Sequence, residues 1–398
     1  MQPSPTHQWL PRLRGDAAWV IAILFFFESV GRASVVTVFP INAYALLGNK
    51  EDVSLLYTLV AIAALLSSFA IPAIIRALSR RWSYSLGALC LAACGAMLAT
   101  DTRFGQAGAM YLRTFGGALL NVTLSLYIMD NIAKGDLVRS EPLRFTVSTL
   151  AWIATPLLGV WLYTRYGIAA TGAVPVAAAG ALLAFFWRQR LSEKGPIRPG
   201  KTQPVNPLAS IGRFVAQPRL RLAWLIAFSR SAFWVTFFVY VPILMIEGEA
   251  GPLAAGIAIA LGSAMLLANA PAGGWARRHS LRLLLAIAFF GGFVLAIGAG
   301  VASAGHPLLA GGAMVAAAFF ISMLDGLGPI PFLRAVRAHE RAPMTTVYRT
   351  YLEISELATP FAYVFAFRLL GFPGAFWTLA ALLGATGVLV LRHIPRRM

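Results

Sequence analysis

The sequence predicts an all-α membrane protein: twelve transmembrane helices in two pseudo-symmetric six-helix bundles. Three observations carry that prediction. Of 398 residues, 59% are hydrophobic and only 12% charged, with a mean hydropathy of +0.73; a water-soluble chain carries about twice that charged fraction. The apolar residues gather into twelve stretches long enough to cross a hydrocarbon core of ~30 Å, which takes about 20 helical residues. The two halves of the chain also repeat each other.

The chain opens on a polar tail, 1–16, whose proline and arginine content suits a cytoplasmic segment. The apolar run that follows is too long for a cleaved signal peptide. Spans 1 to 6 are read at 17–46, 53–75, 82–100, 105–132, 143–165 and 168–187, forming an N-terminal bundle over 17–187. Several exceed the minimum length, so tilts or kinks are expected. Residues 188–220 are rich in Pro, Lys and Arg and read as a cytoplasmic linker. Inside it Leu208, Ile211 and Val215 recur at helical spacing beside Arg213, the pattern of a short helix on a membrane surface. Spans 7 to 12 are read at 221–246, 252–275, 281–303, 307–333, 344–370 and 373–392, giving a C-terminal bundle over 221–392 and a short tail, 393–398.

A net charge of +18 raises the question of nucleic acid, and the placement of the charges answers it. Arg12 and Arg14, then Arg76, Arg80 and Arg81, then Lys134, Arg139 and Arg144 occupy alternate connections. The linker, Arg277, Arg278 and Arg282, then Arg334, Arg337 and Arg341, and the Arg392–Arg397 tail continue the series. The other side holds little more than Lys50, Arg103, Arg165 and Arg368. That asymmetry is the positive-inside pattern, so both termini are expected in the cytoplasm of a bacterial-type inner (plasma) membrane. The bilayer, with its anionic lipid, is then the partner of the basic loops, and no nucleic acid is expected. Cys90 and Cys94 lie one turn apart in one apolar helix and make no useful staple. His7, His279, His306, His339 and His393 all fall in loops or tails, so no metal site and no cofactor are expected.

The repeat is specific. Ile153–Gly167 (IATPLLGVWLYTRYG) aligns with Leu357–Gly371 (LATPFAYVFAFRLLG), 204 positions on (357 − 153), sharing Ala-Thr-Pro and a helix-ending glycine. Val36–Pro40 in span 1 matches Phe238–Pro242 in span 7, 202 positions on (238 − 36). The basic connections Leu78–Arg81 and Trp275–Arg278 correspond as well. Parallel six-span halves joined by a linker form an architecture in which two bundles rock about a shared site.

On these residues the chain resembles the major facilitator superfamily along essentially its whole length. The family signature after span 2, Gly-x-x-x-Asp-Arg-x-Gly-x-Arg-Arg, is echoed by PAIIRALSRR (Pro72–Arg81) and GGWARRHSLR (Gly273–Arg282). Arg76 and Arg277 stand where the family aspartate is expected. The span 4 signature Arg-x-x-x-Gly is met by Arg113 and Gly117, and Thr155-Pro156-Leu157-Leu158-Gly159 is similar to the Gly-Pro-x-x-Gly motif of family antiporters. The resemblance implies a monomeric secondary transporter, closest in size and motifs to drug/proton antiporter-like members. It further implies that spans 1, 4, 7 and 10 line a central cavity, and that Arg76, Arg80, Arg81, Arg277, Arg278, Pro156 and Pro360 serve gating.

Spans 1, 4, 7 and 10 are where the unusual side chains lie. Glu28 and Arg32 are four apart in span 1, hence on one helix face. At ~1.5 Å per residue Glu28 sits roughly halfway across the membrane. An ionisable group there costs at least ~2.5 kcal/mol, so it faces a partner or a wet cavity rather than lipid. A self-neutralising pair that locks helix packing is the plainer alternative. Further along the expected face comes Asn42; span 4 carries Arg113 and Asn121, span 7 Arg230 and Trp234, and span 10 Asp325, which lies 204 beyond Asn121 (325 − 121). In span 11, Arg349, Glu353, Glu356 and Pro360 follow a single helical stripe, in which Arg349 and Glu353 can pair. Glu356 would then look to an arginine of another helix, such as Arg32 or Arg230.

A carboxyl in apolar surroundings keeps its proton, and an arginine beside it favours release. A group that alternates between the two can load and unload a proton. Glu28, Glu356, Glu353 and Asp325 are the candidate proton-coupling residues. Arg32, Arg113, Arg230, Asn121, Trp234 and Arg349 are the candidate substrate ligands, since guanidinium forks match carboxylates and phosphates. The expected activity is proton-coupled transport of a small organic anion or zwitterion, with export favoured over proton-symport uptake of an organic anion or metal chelate. A lipid flippase on the same fold is a further alternative. No Walker-type loop and no Ser/His, Asp/Asp or His-metal pair at depth argues for ATP-driven or enzymatic chemistry.

Overall fold

A backbone inside hydrocarbon must satisfy its own hydrogen bonds, and helices do so within one segment. The computed structural model describes residues 16–131, 137–189, 207–268, 280–336 and 341–395; these are helical almost throughout, with no strand among them. In chain order the helices are α1 (Asp16–Ala33), α2 (Val38–Leu47), α3 (Lys50–Ser68), α4 (Ile71–Leu98), α5 (Arg103–Asn131), α6 (Leu137–Tyr166) and α7 (Ile168–Gln189). The linker contains α8 (Pro207–Ala216). Then come α9 (Pro218–Glu247), α10 (Gly251–Ala264), α11 (Leu281–Ala302), α12 (Pro307–Leu327), α13 (Ile330–Ala335), α14 (Arg341–Arg349) and α15 (Tyr351–His393).

Each of the twelve expected spans falls on helix where its residues are described, and the excess length goes into breaks. Span 1 is α1 and α2 separated by a turn over 34–37; span 10 is α12 and α13 separated at Gly328 and Pro329. Spans 2 and 3 run together through α4 and are divided only at Ser79, whose φ of 67° is non-helical. Spans 11 and 12 share α15 and are divided at Gly371. Among the described residues, eight stretches are long and apolar enough to cross a membrane, and one of them, Val347–His393, holds two spans. The outside of the protein is apolar where a soluble protein would be polar: Phe104, Leu369 and Phe69 are 89%, 79% and 75% exposed. This is an all-helical membrane protein.

Contacts group the chain into two compact units: Met1–Val38 with Ala63–Arg198, and Phe39–Ile62 with Pro199–Met398. The expected boundary lies in the linker, and the contacts in addition assign the end of span 1 and much of span 2 to the second unit. In the first unit α1 packs on α6 and α7, and α4 on α5 and α7. Tyr84, Tyr127 and Phe186 fill its core with Leu24, Leu120, Leu124 and Leu182. Gly95 and Gly172 let α4 and α7 touch backbone to backbone, since a Cβ on either would run into the other's carbonyl oxygen. In the second unit α9 packs on α15, α10 and α12, and α11 on α12 and α15. There Phe214 of α8 is buried with Leu220, Phe332, Met344 and Tyr348, while Ile211 and Val215 stay exposed.

The repeat is visible in the backbone. Gly167 and Gly371, the glycines that end the two aligned segments, have φ of 85° and 63°, a conformation open to glycine at no steric cost. Gly48 and Gly251, 203 apart (251 − 48), match in the same way at 83° and 86°. The halves differ where span 1 breaks at 34–37, because α9 runs unbroken through Pro242.

Candidate functional site

In the first unit the side chains assemble around Arg32. Glu28 is completely buried, and its Oε1 accepts a hydrogen bond from Arg32 Nη1 at 3.0 Å. The Arg32 carbonyl is one of the last in α1, where no further helical N–H can reach it. Arg113 of α5 fills that need, its Nε donating to the carbonyl at 3.0 Å, and its positive charge suits a helix C-terminus. Gly117, one turn on, gives Arg32 room: a Cβ there would stand 2.9 Å from Arg32 Nε. The Arg-x-x-x-Gly spacing therefore has a local meaning, since both residues hold Arg32. From α6, Arg144 lies over the Phe25 ring at 4.5 Å, and Ser148 bonds Ser29 at 3.1 Å. Gly159 meets the Ser34 carbonyl where α1 ends, and Thr171 donates to the Gly159 carbonyl at 3.1 Å.

The second unit holds a matching pair built across helices. Arg230 Nη1 of α9 bonds Asp325 Oδ1 of α12, and the indole N–H of Trp234 donates to Oδ2 at 3.2 Å. Arg230 Nη2 reaches the Tyr351 hydroxyl at 3.1 Å, and its guanidinium lies 5.6 Å from the Tyr351 ring centroid. The Arg230 and Asp325 side chains are 15% and 19% exposed. Asp325 stands one turn before the break at Gly328 and Pro329, which is where a rigid helix would otherwise continue. Both units thus contain an acid held by an arginine, with a helix interruption close by.

Not every expected neighbour meets. The stripe in span 11 is cut because α14 ends at Arg349 and the chain turns at Thr350 before α15 begins. As a result Arg349 and Glu353 form no ion pair among the described residues; Glu353 is exposed and Arg349 largely so. Glu356 is exposed as well, and Arg230, a partner suggested for it, is engaged by Asp325 and Tyr351. The break at 34–37 separates Asn42 from the helix that carries Glu28 and Arg32; Asn42 is buried in α2. Asn121 lies half-buried in the unbroken α5, unlike Asp325 at its interruption. Pro156 and Pro360 are buried within α6 and α15. Arg76 is exposed, and Arg80 and Arg81 flank the kink at Ser79. Arg277 and Arg278 lie outside the described residues.

One polar cluster has no counterpart among the expectations from sequence. Within the second unit, Lys50 Nζ donates to Glu247 Oε1 at 2.6 Å and the Tyr44 hydroxyl donates to Oε2 at 3.4 Å. The ammonium also lies 5.1 Å from the Phe372 ring. Nearby, Tyr240 donates to Ser54 Oγ at 3.0 Å. These contacts tie 39–62 to the ends of spans 7 and 11. The signal in the sequence is an acid at the end of span 7 and a lysine at the start of span 2, which a count of charges for topology absorbs.

Comparison with known proteins adds the family. A family model described as Major Facilitator Superfamily matches residues 21–355. No curated protein matches by sequence. Among solved structures, the chain is similar to a POT family transporter in complex with 5-aminolevulinic acid: 12% identity, 94% of this chain and 95% of that one, TM-score 0.77. It is similar to the nucleoside transporter NupG at 12% identity, covering 94% and 98%, with a TM-score of 0.71. A D-xylose-proton symporter matches at 11% identity over 95% and 97%, with a TM-score of 0.70. At such identities the likeness is one of fold.

Proposed function

The chain belongs to the major facilitator superfamily, and from that premise we propose that it couples protons to the movement of a small organic anion or zwitterion. It is a secondary transporter working by alternating access, and it is not an enzyme. The observation that carries the proton reading is the arginine-held acid in each unit, Glu28 with Arg32 and Asp325 with Arg230. Deprotonated, such an acid can take the ammonium group of a zwitterion while its arginine turns to the solute's carboxylate or phosphate. Protonation cancels the acid's charge and releases the solute, so that proton and solute occupy the site in turn. Arg32 and Arg230 are the primary solute ligands in this reading, with Trp234 stacking beside the second. Export is favoured because span 5 carries the partial antiporter motif ending at Gly159.

Uptake by symport is the second reading, supported by the fold shared with a D-xylose-proton symporter. The two differ in a sign. Purified protein is screened by thermal shift against carboxylates, phosphates, metal chelates and antibiotics, and the stabilising compound is presented to proteoliposomes containing a pH dye. Antiport makes the lumen alkaline as the compound enters, and that is the expected result. An acid lumen establishes symport; entry with no pH change removes proton coupling altogether.

A further inference from the structure

An aromatic side chain on a transmembrane helix packs a core, anchors the helix at the membrane surface, or lines a site. On α9 the first use is plain: Phe233 and Phe237 are fully buried. Trp234 and Phe238 differ, because each is only half-buried. Trp234 stands near the middle of α9, far from either end where a surface anchor would sit. Its indole N–H donates to Asp325 Oδ2 at 3.2 Å, beside the charges of Arg230 and Asp325. An ion pair does not face hydrocarbon, so the partly open side of Trp234 belongs to the site.

One carboxylate fixes two recognition groups. Asp325 accepts from Arg230 through Oδ1 and from Trp234 through Oδ2, so the guanidinium and the indole are set in one relation to each other. The indole is held further by its neighbours: Phe238 stacks on it at 5.6 Å with planes 24° apart, and Phe233 and Phe237 meet it edge-on at 5.5 and 5.9 Å. Arg230 is anchored a second time by the Tyr351 hydroxyl, and the Tyr351 ring rests on Tyr348, centroids 5.3 Å apart. These bonds take two of the five N–H donors of the guanidinium and leave three for a solute. Arg230 and Trp234 are four apart, hence on one side of α9 and about 6 Å from each other along its axis.

We propose that the second unit selects solutes carrying an aromatic ring beside their acid group: the carboxylate lies on Arg230, and the ring docks on the Trp234–Phe238 pair one helical turn away. A separation of about 6 Å fits a ring joined to the carboxylate by a short chain. Rings meet offset-stacked or edge-on because of their charge distribution, a contact that a saturated ring of the same size does not make. The indole and the guanidinium are in place before the solute arrives, so little side-chain freedom is lost on binding. The ring preference narrows the anion-or-zwitterion reading of the function, on which it rests, to one chemical class.

Isothermal titration of the purified full chain in detergent compares phenylpropanoate with cyclohexylpropanoate, and phenylalanine with cyclohexylalanine. Charge and size match within each pair, and only one member has a π face. The saturated member is the more apolar, so plain hydrophobic binding gives the opposite order. The ring compound of at least one pair is expected to bind about 2- to 10-fold more tightly, the range an aromatic pair contributes. Trp234→Leu should bring that ratio close to one, while Trp234→Phe, which keeps a ring, should retain most of it. Equal affinities within both pairs, or a preference that survives Trp234→Leu, overturn the proposal. The charge reading then stands if Arg230→Met/Asp325→Leu abolishes binding of the same probes. If none of the four binds, the aromatic proposal falls; the function falls with it only if no carboxylate or phosphate of the wider screen loses binding in that double variant.

Discussion

Replacing Arg230 with methionine is expected to destabilise the protein by about 3–5 kcal/mol, because it strands the Asp325 carboxylate in the interior of the second unit. The two side chains are only 15% and 19% exposed, so water screens the loss poorly. Asp325 would keep the Trp234 indole N–H and lose the opposite charge that Arg230 supplies. Removing both charges together, in Arg230→Met/Asp325→Leu, should recover most of the stability, since apolar replacements of a buried pair are often neutral. Thermal unfolding of the detergent-solubilised single and double variants forms a cycle that isolates the interaction. A coupling energy below about 1 kcal/mol, the value for surface pairs, would show that the pair is effectively solvated.

A single methyl group at Gly159 should be nearly as damaging. The Cβ of Gly159→Ala would fall on the Ser34 carbonyl, a backbone atom at the end of α1 that no rotamer can clear. Either α6 must move off α1 or the turn over 34–37 must refold, and overpacking of this kind costs about 1–3 kcal/mol or more. Gly180, on α7, provides the control. Nothing lies within 4 Å of its Cβ position, so Gly180→Ala should be neutral or stabilising by up to ~1 kcal/mol, as expected for a helix interior. Thermal midpoints of opposite sign for the two alanines are the expected result; similar midpoints would mean that α6 does not pack tightly on the α1 break.

What the sequence makes legible depends on the range of each interaction. The spans are legible because hydropathy summed over twenty residues is a strong signal. Glu28 and Arg32 are legible because a pair four apart in a helix is local. Arg113 and Gly117 are legible as a spacing but not as a mechanism, since their common object, Arg32, lies on another helix. Arg230 and Asp325 are 95 residues apart, and nothing in either segment selects that partner from the other candidates. The expected Arg349–Glu353 pair fails because the helix stops at Arg349 with no glycine or proline to mark it. Tertiary contacts made by Tyr348 on Phe332 and by Trp224 on Thr350 surround that stop instead. The break after Ala33 is marked only ambiguously: Pro40 denies the Val36 carbonyl its helical donor, yet Pro242, its counterpart in the second half, lies in an unbroken helix. Lys50 and Glu247 are hidden by position, since charges at span ends usually report topology alone.

The buried carboxylate of Glu28 is the part of the molecule on which proton coupling stands or falls. Its test is ligand-driven lumen pH change in proteoliposomes carrying Glu28→Gln, using a compound that stabilises both the variant and the parent protein. Glutamine keeps the shape and a hydrogen-bond acceptor for Arg32 while removing the titration. The variant is expected to bind the compound and produce no lumen pH change; a pH change equal to that of the parent protein would contradict the role assigned to Glu28.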